Sequence, residues 1–240
     1  MLDASADMVH RGFGPLTGAF LVIVLVLFPW TIARGHRSGR ALRATRPALY
    51  VSASLTLWGL VALLAVVLWV EKEGLGSIGL GPSPGPLRLV AWTDALLAIG
   101  LVVAYALRQL RQAFGIPLTE TFLHSLPRTP AEYALFCLLL APTAGITEEM
   151  LFRGYAITRL TPLVGNVWVA AAIALASFSL GHVYQGWMGP VRTALAGLAF
   201  TVPFIVTGSL LPSILAHTAF DMLSAPLITS QLAESTSSGP

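Results

Sequence analysis

Long stretches of this chain pass without a charged side chain, and that absence limits its fold more than any motif does. The intervals run from Phe13 to Ala33, Pro47 to Val70, Leu89 to Leu107 (interrupted by Asp94), Tyr133 to Thr147, Leu160 to Val191 and Thr193 to Phe220. A helix needs roughly 20 apolar residues to cross the hydrocarbon core of a bilayer. The intervals therefore read as six or seven spans, the last holding two divided near Gly208 to Pro212. Of the 240 residues, 55% are hydrophobic and 10% charged, where a soluble domain carries about 25% charged residues. A water-facing surface of ordinary size cannot be built from this set. The expected fold is all-α: a polytopic transmembrane bundle enclosing a polar cavity, with the lipid bilayer as its surroundings.

Asp3 and Asp7 make the leading end acidic, and the first apolar run ends at Arg34 without a small-x-small cleavage pattern. It reads as a retained helix rather than a cleaved signal peptide. The single cysteine, Cys137, excludes an internal disulfide and reads as a packing residue. The net charge of +3 comes from an arginine-heavy set. Arg34, Arg37, Arg40, Arg43 and Arg46 cluster between the first two spans, as in a cytoplasmic loop obeying the positive-inside bias. No aromatic residue is interleaved to stack on bases, so no nucleic-acid partner is expected.

The layout divides into residues 1–128 (N-terminal helices and a linker), 129–229 (the polar-motif helices) and 230–240 (a serine-rich tail expected to be disordered). Gly74-Leu-Gly76-Ser-Ile-Gly79 formally matches a dinucleotide-binding pattern. The breaker cluster from Gly81 to Pro86 follows at once, where that motif needs a helix, so the segment reads as a loop. Asp94, near the start of the third span, suits a helix N-terminus. The polar linker from Arg108 to Pro130 is expected to hold a short amphipathic helix around Thr119 to Leu126. Thr129-Pro130-Ala131-Glu132 then reads as a helix start with a capping box.

The chemistry lies in the second half. Glu148-Glu149-x-x-x-Arg153, Phe178-x-x-x-His182 and His217-x-x-x-Asp221 each contain a spacing of four, which puts both members on one helical face. Ionisable groups in membrane helices are expensive to keep and normally face a cavity, a partner or a reaction. Glu149 and Arg153 can pair directly. Glu148, turned about 100° away on a 3.6-residue helix, has no local partner and suits a general base. Packed together, Glu148, His182, His217 and Asp221 could surround one wet cavity. No serine or cysteine is obviously paired with a histidine and an acid, so water activated by a carboxylate is the simpler nucleophile. The zinc-protease signature His-Glu-x-x-His is absent, but two histidines and a glutamate could still make an open three-ligand site. The candidate ligands for Zn2+ are Glu148, His182, His217 and Asp221, and a metal-free glutamate mechanism stands beside that reading.

With these motifs the chain resembles the CPBP family of intramembrane proteases, the type II CAAX prenyl endopeptidase or ABI family. Its signatures Glu-Glu-x-x-x-Arg, Phe-x-x-x-His and His-x-x-x-Asn/Asp occur here in order, and Gly154-Tyr155 continues the first. The likeness covers roughly Thr129 to Leu227. It implies an intramembrane endopeptidase in which Glu148 polarises a water with His182, while His217 and the residue at 221 stabilise the oxyanion. Glu149, Arg153 and Phe178 would be supporting residues. Where eukaryotic relatives have asparagine, this chain has Asp221, which donates a hydrogen bond only when protonated and would instead orient His217 or bind a metal.

The cavity must admit water, and irregular backbone is tolerated where it lines such a cavity. Pro142 and Gly145 are expected to loosen the helix there. With the Arg34 to Arg46 loop inside, a simple count carries Glu148 toward the outer face. A re-entrant segment around Gly115 to Leu126 would reverse that count. Partners would be a peptide or membrane-protein substrate. Three functions follow: the endopeptidase, a non-catalytic scaffold or bacteriocin-immunity protein of the same fold, and a small proton-coupled transporter. The paired halves of many transporters are missing. The composition looks bacterial, suggesting a bacterial cell membrane.

Overall fold

The computed structural model describes residues 14–81 and 83–237, with the side chains of 226, 227 and 229–237 not described. Asp3 and Asp7 lie outside the described residues. Eight helices make up the described chain: α1 (Pro15–Arg37), α2 (Arg46–Val70), α3 (Pro86–Ala113), α4 (Glu120–Ser125), α5 (Pro130–Val164), α6 (Val167–Leu180), α7 (Met188–Thr207) and α8 (Leu211–Ser237). Five of them (α1, α2, α3, α5 and α7) are long and apolar enough to cross a membrane. Large apolar side chains point outward, with Trp69 at 78%, Leu87 at 83% and Leu138 at 80% exposure. In water such a surface would be a liability; in lipid it is the solvated face. The chain is an integral membrane protein built as a polytopic helical bundle.

These five, with α6 and α8, fill the apolar intervals read from the sequence as spans. The glutamates do not end the fourth span. The helix continues unbroken through Glu148, Glu149 and Arg153 to Val164, with Glu149 and Arg153 paired inside the bundle and Glu148 facing His217. Glu148 consequently sits near the middle of α5. The next apolar interval breaks at Gly165, whose φ of +67° ends α5, and Asn166 caps α6 by accepting from the amides of Trp168 and Val169. At 14 residues, α6 is only about 21 Å long, shorter than the roughly 30 Å hydrocarbon core. The division at Gly208 to Pro212 occurs as expected: Gly208 (φ +69°) ends α7 and Leu211 opens α8.

Two polar faces can be traced. One gathers the arginine-rich loop, α4 and the turn after α6. His36 Nδ1 lies 2.9 Å from Thr121 Oγ1, His124 Nε2 2.8 Å from the Ala44 carbonyl, and Tyr50 donates to the Ser125 carbonyl at 2.9 Å. Thr119 caps α4 through the Phe122 amide and donates to the Tyr184 carbonyl. Thr129 and Glu132 form the capping box expected at the start of α5. The opposite face gathers the start of α1, the 71–85 loop and the end of α5. There Glu71 accepts from Thr17 (2.6 Å), Tyr155 (3.1 Å) and Arg159 (2.9 and 3.1 Å).

The glycine-rich segment is a loop, as expected, but it is also packed into the bundle. Ile78 is fully buried, and Gly79 (φ +84°) accepts from the Leu210 amide at 2.9 Å. A Cβ on Gly154 would meet the Ile78 carbonyl. Asp94 is exposed about two turns into α3. The backbone of α8 is helical to Ser237, within the segment expected to be disordered, and 238–240 lie outside the described residues.

Candidate active site

The site is assembled where α5 and α8 come closest. A Cβ on Gly145 would lie 2.9 Å from the Thr218 amide nitrogen and 3.1 Å from its Cα, so only glycine permits this approach. Its role is close packing rather than the loosening expected from the sequence. His217 directly precedes Thr218, and the glutamates follow Gly145 by about one helical turn, so this contact sets the carboxylates against the imidazole. Pro142 does not break the helix either. Instead α5 is wound as π-helix at Phe136–Leu140 and again at Glu149–Ile157. Such wide turns commonly mark functional sites within α-helices. The second one carries Glu149 and Arg153.

Glu149 and Arg153 pair as their spacing suggested, with both side chains almost wholly buried. The same Glu149 Oε1 also lies 2.8 Å from His217 Nδ1. A carboxylate oxygen can only accept, so Nδ1 carries the hydrogen. Arg153 donates further to the Gly197 carbonyl (3.3 Å), and its guanidinium lies 5.5 Å from the Phe178 ring and 5.7 Å from the Phe200 ring. The Glu149–Arg153 pair thus ties α5, α7 and α8 together. The Glu149 side chain has no exposure, whereas Glu148 retains 15%. Glu148 is the member of the pair that water can reach.

His217 Nε2 faces Glu148 Oε2 and Asp221 Oδ2, each at 3.8 Å. These are electrostatic neighbours rather than hydrogen bonds. His217 and Asp221 share a helical face as expected, yet the hydrogen bond that orients His217 comes from Glu149. His182 lies just past the end of α6, beyond the Gly181 cap, rather than on the helix. Its Nδ1 is 3.0 Å from the Phe178 carbonyl. A carbonyl only accepts, so in the neutral ring Nε2 keeps its lone pair for another donor. Phe178 joins the two histidines, its ring 4.8 Å from that of His182 and 6.4 Å from that of His217. An apolar crevice lined by Phe152, Ala171, Ala174, Leu175 and Thr201 shares Arg153 and Phe178 with this site.

The expected ligand set does not converge on a metal. Among the described residues no group of three or more His, Cys, Asp or Glu side chains is arranged to hold an ion. His217 Nδ1 is committed to Glu149 and His182 Nδ1 to a carbonyl, so each ring could offer only Nε2. As placed, these side chains do not form a three-ligand zinc site among the described residues. The arrangement offers instead a carboxylate with some access to water, an imidazole lone pair and a second imidazole held by an acid.

Residues 130–223 match the family model for type II CAAX prenyl endopeptidase Rce1-like proteins. This match supports the resemblance of that segment to the CPBP family. The match contains all three motifs, α5, α6 and α7 in full and the start of α8. No curated protein and no solved structure matches the chain. At family level, the Rce1-like segment supports a protease-type hydrolase.

Three side chains escaped the sequence reading. Tyr184, Gln185 and Arg192 belong to none of the motifs, yet they join the turn that carries His182 to α7. A tyrosine and a glutamine two and three residues beyond a motif histidine were the only available signal.

Proposed function

We propose that this chain is an intramembrane endopeptidase that hydrolyses a peptide bond with a water activated by Glu148 and His182. The observation carrying the reading is the division between the paired glutamates. Glu149 is spent on Arg153 and His217, while Glu148, partly exposed, accepts no hydrogen bond among the described residues. Water held between the Glu148 carboxylate and the His182 Nε2 lone pair attacks the scissile carbonyl, and Glu148 takes its proton. His217, held by Glu149, turns Nε2 toward the same place and supplies charge stabilisation to the oxyanion. Asp221 orients the electrostatics around His217. Glu149, Arg153 and Phe178 fix the geometry.

The site opens toward the arginine-rich face. The short α6 leaves His182 on the turn that packs against α4 and the C-terminal half of α1. Arg34, Arg37, Arg40, Arg43 and Arg46 line that same face, which the positive-inside bias puts in the cytoplasm. The segment cleaved is then a cytoplasm-facing end of a membrane peptide or membrane protein, and the host is a bacterial cell membrane.

The test is a comparison of protein termini in membranes expressing the wild type or Glu148→Ala. New termini next to apolar segments are expected with the wild type alone. An identical set of termini in both membranes, at equal expression, contradicts the reading.

A further inference from the structure

We propose that Tyr184 donates a hydrogen bond to the tetrahedral oxyanion, with its hydroxyl aimed by Gln185 and Arg192. This rests on the peptidase reading and adds to it a catalytic residue outside the three motifs. An oxyanion site is usually built from two or more donors. In its imidazolium form, with Nδ1–H held by Glu149 and Nε2–H facing the Glu148 and Asp221 carboxylates, His217 can be one. The Asp221 carboxylate, the other motif residue beside it, presents lone pairs where a donor is needed.

The direction of the Tyr184 hydroxyl follows from a chain of obligatory donors. Arg192 Nη2 lies 2.7 Å from Gln185 Oε1. A guanidinium only donates, so Gln185 must present its oxygen to Arg192 and its amide nitrogen to the other side. That nitrogen lies 3.0 Å from Tyr184 Oη. The phenol therefore accepts from Gln185, and its own hydrogen is left to donate elsewhere. A phenol with an ordinary pKa near 10 keeps that hydrogen at neutral pH.

The backbone holds this arrangement in place. The Tyr184 carbonyl accepts from Thr119, and Gly186 (φ +88°) reverses the chain. A Cβ on Gly189 would lie 2.6 Å from the Gln185 Cβ, so glycine lets α7 start against the turn. The Tyr184 ring lies 6.2 Å from the His182 ring at 30° to it. Arg192 forms no ion pair among the described residues, so its fixed contact is the one that orients Gln185.

In the step itself, the water oxygen bonds to the carbonyl carbon and its proton passes to Glu148. The C=O π pair moves onto oxygen, where Tyr184 and His217 receive it. On collapse the pair re-forms C=O, the C–N bond breaks, and Glu148 returns the proton to the leaving amine.

The test uses the full chain in phosphatidylcholine and phosphatidylglycerol liposomes with a quenched-fluorescence peptide library as probe. Tyr184→Phe is expected to lower kcat about 100-fold or more, with KM changed by less than about threefold. Binding of a phosphinic peptide, a tetrahedral analogue, should weaken in step with kcat/KM. Gln185→Leu should give a smaller loss of kcat at unchanged KM, and it carries the test if the phenylalanine variant fails to fold. Wild-type kcat in folded Tyr184→Phe overturns the inference and leaves the peptidase reading intact. A folded wild type that cleaves nothing in the library overturns both.

Discussion

His217 Nδ1 lies 2.8 Å from Glu149 Oε1, the oxygen that also accepts from Arg153. The second glutamate is therefore both the anchor of α5 and the orienter of the imidazole on α8. Glu149→Gln should lose activity and stability together. Breaking one side of a buried ion pair costs about 3–5 kcal/mol, so a clear fall in the thermal unfolding temperature is expected in detergent. Unchanged unfolding would show that the Arg153 contact is not holding the helices.

Gly145 should tolerate no side chain. Gly145→Leu would push α8 away from α5 at Thr218 and separate His217 from both glutamates. Activity is expected to vanish. Overpacking a close helix contact costs about 1–3 kcal/mol, so the variant should still assemble. Cleavage at the wild-type rate would contradict the proposed assembly of the site.

The polar node on the far face is a structural tie with a separate signature. Glu71 and Arg159 pair at 2.9 Å with side-chain exposures of 12% and 2%. Glu71→Gln is expected to destabilise by about 3 kcal/mol, while the folded fraction retains its kcat. Loss of kcat without loss of stability in an unfolding titration would assign this node to the reaction instead.

The two faces predict an accessibility pattern. In a Cys137→Ser background, Ser38→Cys and Trp187→Cys should react with a membrane-impermeant thiol reagent from the same side. Val164→Cys should react from the other. Inverted and right-side-out vesicles separate the cases. Labelling of Trp187→Cys together with Val164→Cys would place the His182 turn on the wrong face.

What the sequence made legible was local. Glu149 and Arg153, and His217 and Asp221, each lie four residues apart on one helix, so helical geometry brought them near one another, and the turn after α6 keeps His182 beside Phe178. The capping box at Thr129 and the break at Gly208 were readable for the same reason. Contacts between distant segments were not. Glu71 meets Arg159 across 88 positions, and nothing in either neighbourhood indicates the other. The orienting bond from His217 to Glu149 spans 68 positions, which is why the sequence pointed to Asp221 as a possible orienter instead.

One helix boundary differed for a physical reason. Hydropathy falls at Glu148, Glu149 and Arg153, where a helix end was expected. Glu149 and Arg153 pair internally, Glu148 faces the partly wet site, and α5 continues. His182 was placed on a helix because a spacing of four suits one, although Gly181 ends α6 first. Gly145 looked like a helix breaker because its packing partner, Thr218, lies on another helix.

The most direct measurement is the cleavage rate of Glu148→Gln beside the wild type in the same liposomes, with thermal unfolding of both followed in parallel. Glutamine keeps the size of the side chain and removes the base. General-base catalysis contributes about 10²- to 10⁴-fold, so a loss of that size is expected with the unfolding temperature unchanged. A Glu148→Gln rate close to that of the wild type would contradict the assignment of Glu148 as the residue that activates water.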